Sequence, residues 1–190
     1  GVQKAIRVVV ILLIIFIVAL AGVAVGAWGY INSMLGKINK ETIDTNAIGI
    51  TEETKKSLKG YRNIALLGID SRADDYGLGN RTDCIIIASI NEETKDVKMF
   101  SVYRDTYLEV VEKNTKKLDK VTHAYSYGGA QNTLLALNTN LDLNIKEYVT
   151  INFDSLISAI NAMDGVDIEI EKDELKYIND YIDALVQTSG

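Results

Sequence analysis

The chain has 190 residues, a formal charge of −6 from 20 basic and 26 acidic side chains, one cysteine, one histidine and no proline. That composition excludes a disulfide scaffold, a cysteine-rich zinc site and a histidine-cluster metal site, and its acidity argues against a general nucleic-acid binder. With 47% hydrophobic and 24% charged residues, the chain is neither disordered nor collagen-like.

In chain order, residues 1–7 form a short basic tail carrying Lys4 and Arg7. Residues 8–31 carry no charge. As a helix at about 1.5 Å per residue, such a run spans a hydrocarbon core of about 30 Å with some tilt. The basic tail keeps the N-terminus inside and places the remainder outside the cytoplasmic membrane. Trp28 and Tyr30 then lie at the outer interface. The competing reading is a cleaved signal peptide, with Ala24, Gly26 and Ala27 near the cleavage point; the length of the run favours a retained single-pass anchor. Without the first 31 residues the net charge falls to −8, because only Lys4 and Arg7 are lost.

Residues 32–60 are polar with scattered Ile and Leu and read as a juxtamembrane linker or short helix. The folded domain is expected over 61–190. Residues 63–69 (NIALLGI) and 84–90 (CIIIASI) are short apolar runs, which predict buried strands of a covered sheet. Residues 96–103 return as a third strand after the turn at 91–95. Residues 120–127 and 131–140 predict helices broken at Gly128-Gly129, and 148–151 a short strand. Residues 155–163 have helical spacing, with Asp154 as N-cap and Gly165 as stop. Residues 166–170 alternate as a strand with one wet face, and 174–186 form a last helix. Strands alternating with helices give an α/β class.

The polar stretch 69–83 lies between two apolar strands and holds four Asp and two Arg. Loops at strand ends are where open α/β sheets bind ligands. Carboxylates suit a hard divalent cation, and guanidinium forks suit phosphate oxygens. The plain alternative is a solvated loop whose charges pair with one another. A second cluster, Ser101 to Thr106, brings Arg104 to the end of the third strand, where it either joins Arg72 and Arg81 or pairs with Asp105. His123 reads as a structural histidine on a helix, and Cys84 as a buried, inert thiol. There is no Walker-type glycine pattern and no visible Ser-His-Asp motif.

These segments resemble the LytR-CpsA-Psr family. The likeness rests on NIALLGIDSR (63–72), RTD (81–83), SVYRDT (101–106), KLDKVTHAYSYGG (117–129), YVTINFD (148–154) and DGVDIEI (164–170), in family order from about 61 to 170. The resemblance implies a three-layer α/β/α sandwich with a lipid pocket, behind a single N-terminal transmembrane helix on the outer face of the cytoplasmic membrane. It implies a magnesium-dependent phosphotransferase that moves a polyprenyl-diphosphate-linked glycopolymer (teichoic acid, capsule or a related polysaccharide) onto peptidoglycan. By motif position, Asp70 and Asp83 are the magnesium ligands and Arg72, Arg81 and Arg104 bind phosphate, with Arg81, Asp83 and Arg104 at the reacting centre. Either Asp83 or Asp105 takes the acceptor proton. Two departures stand out. Tyr103 replaces a usual proline, and no arginine follows Arg104 where the family supplies more, so the chain reads as incomplete at its C-terminus. The alternatives are a lipid-diphosphate binding module without turnover and, least favoured given seven residues before the apolar run, a transcriptional regulator.

Overall fold

A computed structural model describes residues 2–35, 40–71 and 75–188. The chain divides into two compact units, Gly1–Thr42 and Ile43–Gly190. The first consists of α1 (Val2–Leu35), one continuous helix of 34 residues. Trp28, Tyr30, Val23 and Val25 on it are exposed. Among the described residues no helix is long and apolar enough to cross a membrane, so the span over 8–31 rests on the sequence.

The second unit is built on a mixed sheet. β1 (Tyr61–Ile69) pairs antiparallel with β2 (Thr82–Asn91) and parallel with β6 (Glu147–Ile151), and β2 pairs antiparallel with β3 (Val97–Ser101), giving the order β3-β2-β1-β6. Alternation explains one face: Ala65, Leu67 and Ile69 of β1 and Ile85 and Ile87 of β2 are buried. They pack with Val121, Tyr125, Ala130, Leu134 and Leu137 from α3 (Thr122–Leu141). Gly128 and Gly129 leave helical geometry inside α3, where the sequence predicts the break. Gly129 has φ +64, a conformation that side-chain-bearing residues rarely adopt.

β4 (Tyr107–Glu112) and β5 (Thr115–Lys120) form a separate hairpin that the sequence reading missed. Its two turn residues, Lys113 and Asn114, both have positive φ, the geometry of a primed two-residue turn. Lysine is an unusual residue there, and that hid the turn. Asparagines on α3 bond the hairpin: Asn132 Nδ2 donates to the Val111 carbonyl at 2.7 Å and Asn140 Nδ2 to the Glu109 carbonyl at 3.0 Å.

Three expectations change. The folded unit begins at Ile43 rather than Tyr61. Ile48 is fully buried in the core, its carbonyl accepts from Asn138 Nδ2 at 3.0 Å, and α2 (Glu52–Ser57) follows, capped by the Thr51 hydroxyl. Ile43, Ile48 and Ile50 have no helix or strand period, so their burial depends on partners some 90 residues away. The N-cap of α4 (Phe153–Ala162) is Asn152, whose Oδ1 accepts from the Ser155 N–H at 2.9 Å, rather than Asp154. Residues 166–170 are not a strand: they have no ladder partner among the described residues, and Ile168 is 71% exposed. Alternation of apolar residues makes a strand only where a neighbouring edge accepts it. The stop at Gly165 holds, its N–H donating to the Ile160 carbonyl at 2.9 Å. α5 (Lys172–Thr188) closes the chain.

Replacing Ile48 by alanine is expected to cost the domain about 2–5 kcal/mol in urea unfolding, the range for truncating a core isoleucine. A tether residue at the same position would shift stability by less than about 0.5 kcal/mol.

Candidate functional site

The ladder between β1 and β2 pairs Gly68 with Cys84 and then Ile69 with Thr82, so Asp83 is left as an extra residue in a bulge. A bulge bends the strand and re-aims the inserted side chain. Gly68 suits this position, since a Cβ there would stand 3.0 Å from the Cys84 Cβ, tighter than nearly all real contacts. Cys84 itself is exposed, contrary to the buried thiol expected. One step further on, the Asp70 N–H donates to the Arg81 carbonyl at 3.1 Å. Asp70, Arg81 and Asp83 are therefore gathered at one end of the sheet, all three exposed.

Arg104 reaches the same end from the turn after β3. Its backbone is held by the Val102 N–H on the Ile85 carbonyl (2.9 Å), the Thr106 N–H on the Tyr103 carbonyl (2.9 Å) and the Thr122 N–H on the Arg104 carbonyl (3.1 Å). Arg104 Nη1 donates to Asp83 Oδ1, joining the two turns. Both partners are over a third exposed, so the pair contributes about 0–1 kcal/mol. The alternative Arg104–Asp105 pairing is not what forms. Asp105 binds Lys120 Nζ at 2.7 Å, and this hydrogen bond is the main reason its carboxyl lies below the usual range. Arg72 lies outside the described residues, whereas Asp70 and Arg81 make no side-chain ion pair among them.

The loop between β1 and β2 is seated on the helices. The Tyr125 hydroxyl donates to the Tyr76 carbonyl at 2.9 Å, the Gly79 N–H to the Ser126 carbonyl at 3.3 Å, and the Tyr76 and Ser155 hydroxyls lie 2.8 Å apart. The Phe153 N–H donates to the Ser71 carbonyl at 3.3 Å, bringing the start of α4 to the same loop. The first turn of α3 thus touches both charged segments.

Next to it lies a network the sequence reading did not assemble. Asp119 Oδ1 is 2.9 Å from His123 Nδ1, and Asp119 Oδ2 accepts from the Tyr127 hydroxyl at 2.8 Å and lies 3.1 Å from Lys117 Nζ. Lys117 Nζ also binds Glu112 at 2.7 Å and sits 4.4 Å from the Tyr127 ring centre. Partial burial works to raise the Asp119 carboxyl, but hydrogen bonds from Tyr127, His123, the Lys120 N–H and Lys117 outweigh it and hold the group far below its usual range. Hydrogen bonds to Glu112, Tyr127 and Asp119 push the Lys117 ammonium well up. Asp119 lies on β5 and His123 and Tyr127 on α3, so no single-element period signalled the trio.

No group of three or more His, Cys, Asp or Glu side chains converges to hold a metal among the described residues. A closed protein cage is therefore not what these residues build. Asp70 and Asp83 do fit the other arrangement, in which magnesium is held by one or two carboxylates, waters and substrate phosphate. A separate polar cleft of about 410 Å³, lined by Arg62, Asn63, Glu92, Asn144 and Glu147 among others, opens at the opposite end of β1 and shares none of these residues.

The model of the LytR_cpsA_psr family matches residues 27–190. The chain belongs to that family. It is 38% identical over 107 residues to a polyisoprenyl-teichoic acid–peptidoglycan teichoic acid transferase TagU from Halalkalibacterium halodurans, covering 56% of this chain and 34% of the relative. It is 34% identical over 125 residues to a TagU of the same description from Bacillus cereus, covering 66% and 39%. The chain thus spans little more than a third of those two relatives. Among solved structures, B. subtilis TagV superposes with a TM-score of 0.51 at 31% identity over 59% of this chain and 44% of that one. TagT bound to LI-WTA superposes with a TM-score of 0.56 at 25% identity over 71% and 50%. The α/β fold with a mixed sheet is the family's.

A depressed carboxyl stabilises the fold above its unfolded-state pKa of about 3.9 and loses that contribution as pH falls through the native value. The wild type is therefore expected to lose stability below about pH 4, and Asp119→Asn to flatten that acid limb in urea unfolding followed across pH.

Proposed function

We propose that this protein is a membrane-anchored, extracytoplasmic phosphotransferase of the LytR_cpsA_psr family, which transfers a polyprenyl-diphosphate-linked glycopolymer to peptidoglycan. The observation that carries the reading is the convergence of Asp70, Arg81, Asp83 and Arg104 at one end of the sheet, with Asp83 and Arg104 in contact. The names of the TagU relatives favour teichoic acid as the polymer, with capsule and related polysaccharides as its chemical neighbours.

α1 serves as the anchor, with Lys4 and Arg7 inside and the Ile43–Gly190 unit outside. The exposed apolar side chains along its described part support that role. On the domain, Leu156 and Ile157 of α4, Leu175 and Ile178 of α5, and Val97, Met99 and Val149 on the sheet are exposed and apolar enough to line a lipid pocket, with α4 and α5 as the second helical layer of an α/β/α sandwich.

At the site, the Arg81 and Arg104 guanidiniums fork onto the non-bridging oxygens of the diphosphate, where negative charge is densest. Arg104 can exchange its bond to Asp83 for a phosphate oxygen at little cost, because the existing pair is exposed and weak. Asp70 and Asp83 are the residues that would hold a magnesium ion, which when bound would supply further charge neutralisation at the diphosphate. The same donors stabilise the charge that builds on the reacting phosphoryl group. Arg72 is assigned to the same clamp from its motif position.

The test is to incubate the protein with lipid-linked teichoic acid precursor and peptidoglycan fragments, with magnesium or with a chelator. Magnesium-dependent covalent product is expected, and Arg81→Ala with Arg104→Ala is expected to lower it by about 10²-fold or more, while domain stability moves by no more than about 1 kcal/mol. Full activity in the double variant would overturn the clamp. Tightly bound polyprenyl diphosphate without any product would favour a non-catalytic binding module instead.

A further inference from the structure

We propose that His123, oriented by Asp119, is the group that takes the proton from the acceptor hydroxyl; the proposal rests on the phosphotransferase reading above. The reaction needs such a group. A sugar hydroxyl is a weak nucleophile until its proton is accepted, and imidazole is the side chain most often used for this.

Two carboxylates close to the phosphate clamp are already engaged, and Asp70 is assigned to the cation. Asp83 accepts from Arg104, and Asp105 is bound to Lys120 at 2.7 Å. A carboxylate held by a cation is a poorer proton acceptor than one left alone. His123 is arranged differently. Its Nδ1 stands 2.9 Å from Asp119 Oδ1. Asp119 is itself fixed by the Tyr127 hydroxyl at 2.8 Å, the Lys120 N–H at 2.8 Å and Lys117 at 3.1 Å. A carboxylate so held selects the tautomer in which Nδ1 donates and Nε2 accepts. Nε2 has no partner among the described residues, and the side chain is 24% exposed, open to a substrate from solvent.

Position supports the same role. The residue before His123, Thr122, donates its N–H to the Arg104 carbonyl. Two and three residues on, Tyr125 and Ser126 hold the loop that carries the acids. The first turn of α3 is therefore bonded through its backbone to the turn that carries Arg104. A carboxylate–imidazole pair is the arrangement that activates a hydroxyl, here with phosphorus in place of an acyl carbon.

The acceptor oxygen bonds to the polymer-side phosphorus, and the bond from that phosphorus to the bridging oxygen breaks. The electron pair leaves on polyprenyl phosphate. The hydroxyl proton passes to Nε2 and then to solvent, while Asp119 stays ionised and bears on the imidazolium.

The test uses the full chain with its N-terminal helix, assayed with lipid-linked teichoic acid precursor and peptidoglycan fragments. Binding of a polyprenyl diphosphate is measured separately. His123→Gln is expected to lower transfer about a hundredfold with binding unchanged within twofold, and Asp119→Asn to lower it less. His123→Ala is expected to recover transfer when imidazole is added, which a purely structural histidine would not allow. Transfer by His123→Gln within threefold of wild type overturns the assignment and leaves the phosphotransferase reading standing. So does a loss in His123→Ala that imidazole fails to restore. Absence of transfer by the wild type sinks both together.

Discussion

Between Gly68 and Ile69 the β1–β2 ladder slips by one residue, and the slip puts Asp83 outside the regular alternation of β2. An uninterrupted ladder would give Asp83 a fixed partner on β1 and a fixed face. The bulge frees it to meet Arg104, which arrives from the turn after β3. Asp70 and Arg81 sit one step further along, joined by the bond from the Asp70 N–H to the Arg81 carbonyl, with no side-chain ion pair among the described residues. The charged end of the sheet depends on this irregularity, and the glycine at position 68 makes it sterically possible.

α3 is the second constraint. One of its faces supplies Tyr125, Leu134 and Leu137 to the core, and its asparagines bond the hairpin strand β4. Its first turn receives the Arg104 carbonyl and the loop after Asp70. The helix that completes the apolar core is thus the same element that brings two distant charged segments together. The break at Gly128-Gly129 lets both tasks fit, since a straight helix through these residues would follow a single axis. Family membership, established over residues 27–190, accords with this layout.

Ionic contacts are distributed unevenly in energy. Arg62–Glu147, Lys116–Glu109 and Arg104–Asp83 are exposed pairs that contribute little to stability. Asp119 is different, being only 18% exposed and held by several donors at once. Such a network resists rearrangement, which suits a fixed orienting group, whereas the weak Arg104–Asp83 pair suits a residue that must change partners when an anion arrives.

Much of the sheet was legible because β1, β2 and β6 are short apolar runs, and local composition is enough to identify those. The glycine break in α3 and the stop at Gly165 were legible for the same local reason. The charged site residues Asp70, Arg81, Asp83 and Arg104 could be named from motif order, since their types and spacing are properties of the chain itself. The β4–β5 hairpin escaped because Lys113 occupies a turn position that composition does not assign to it. The burial of Ile43 and Ile48, the idleness of the 166–170 alternation, the bulge at Asp83 and the Asp119–His123 pairing were settled only by tertiary structure. Each depends on which distant segment lies alongside, and a linear pattern carries periodicity and residue type but not the identity of the neighbour.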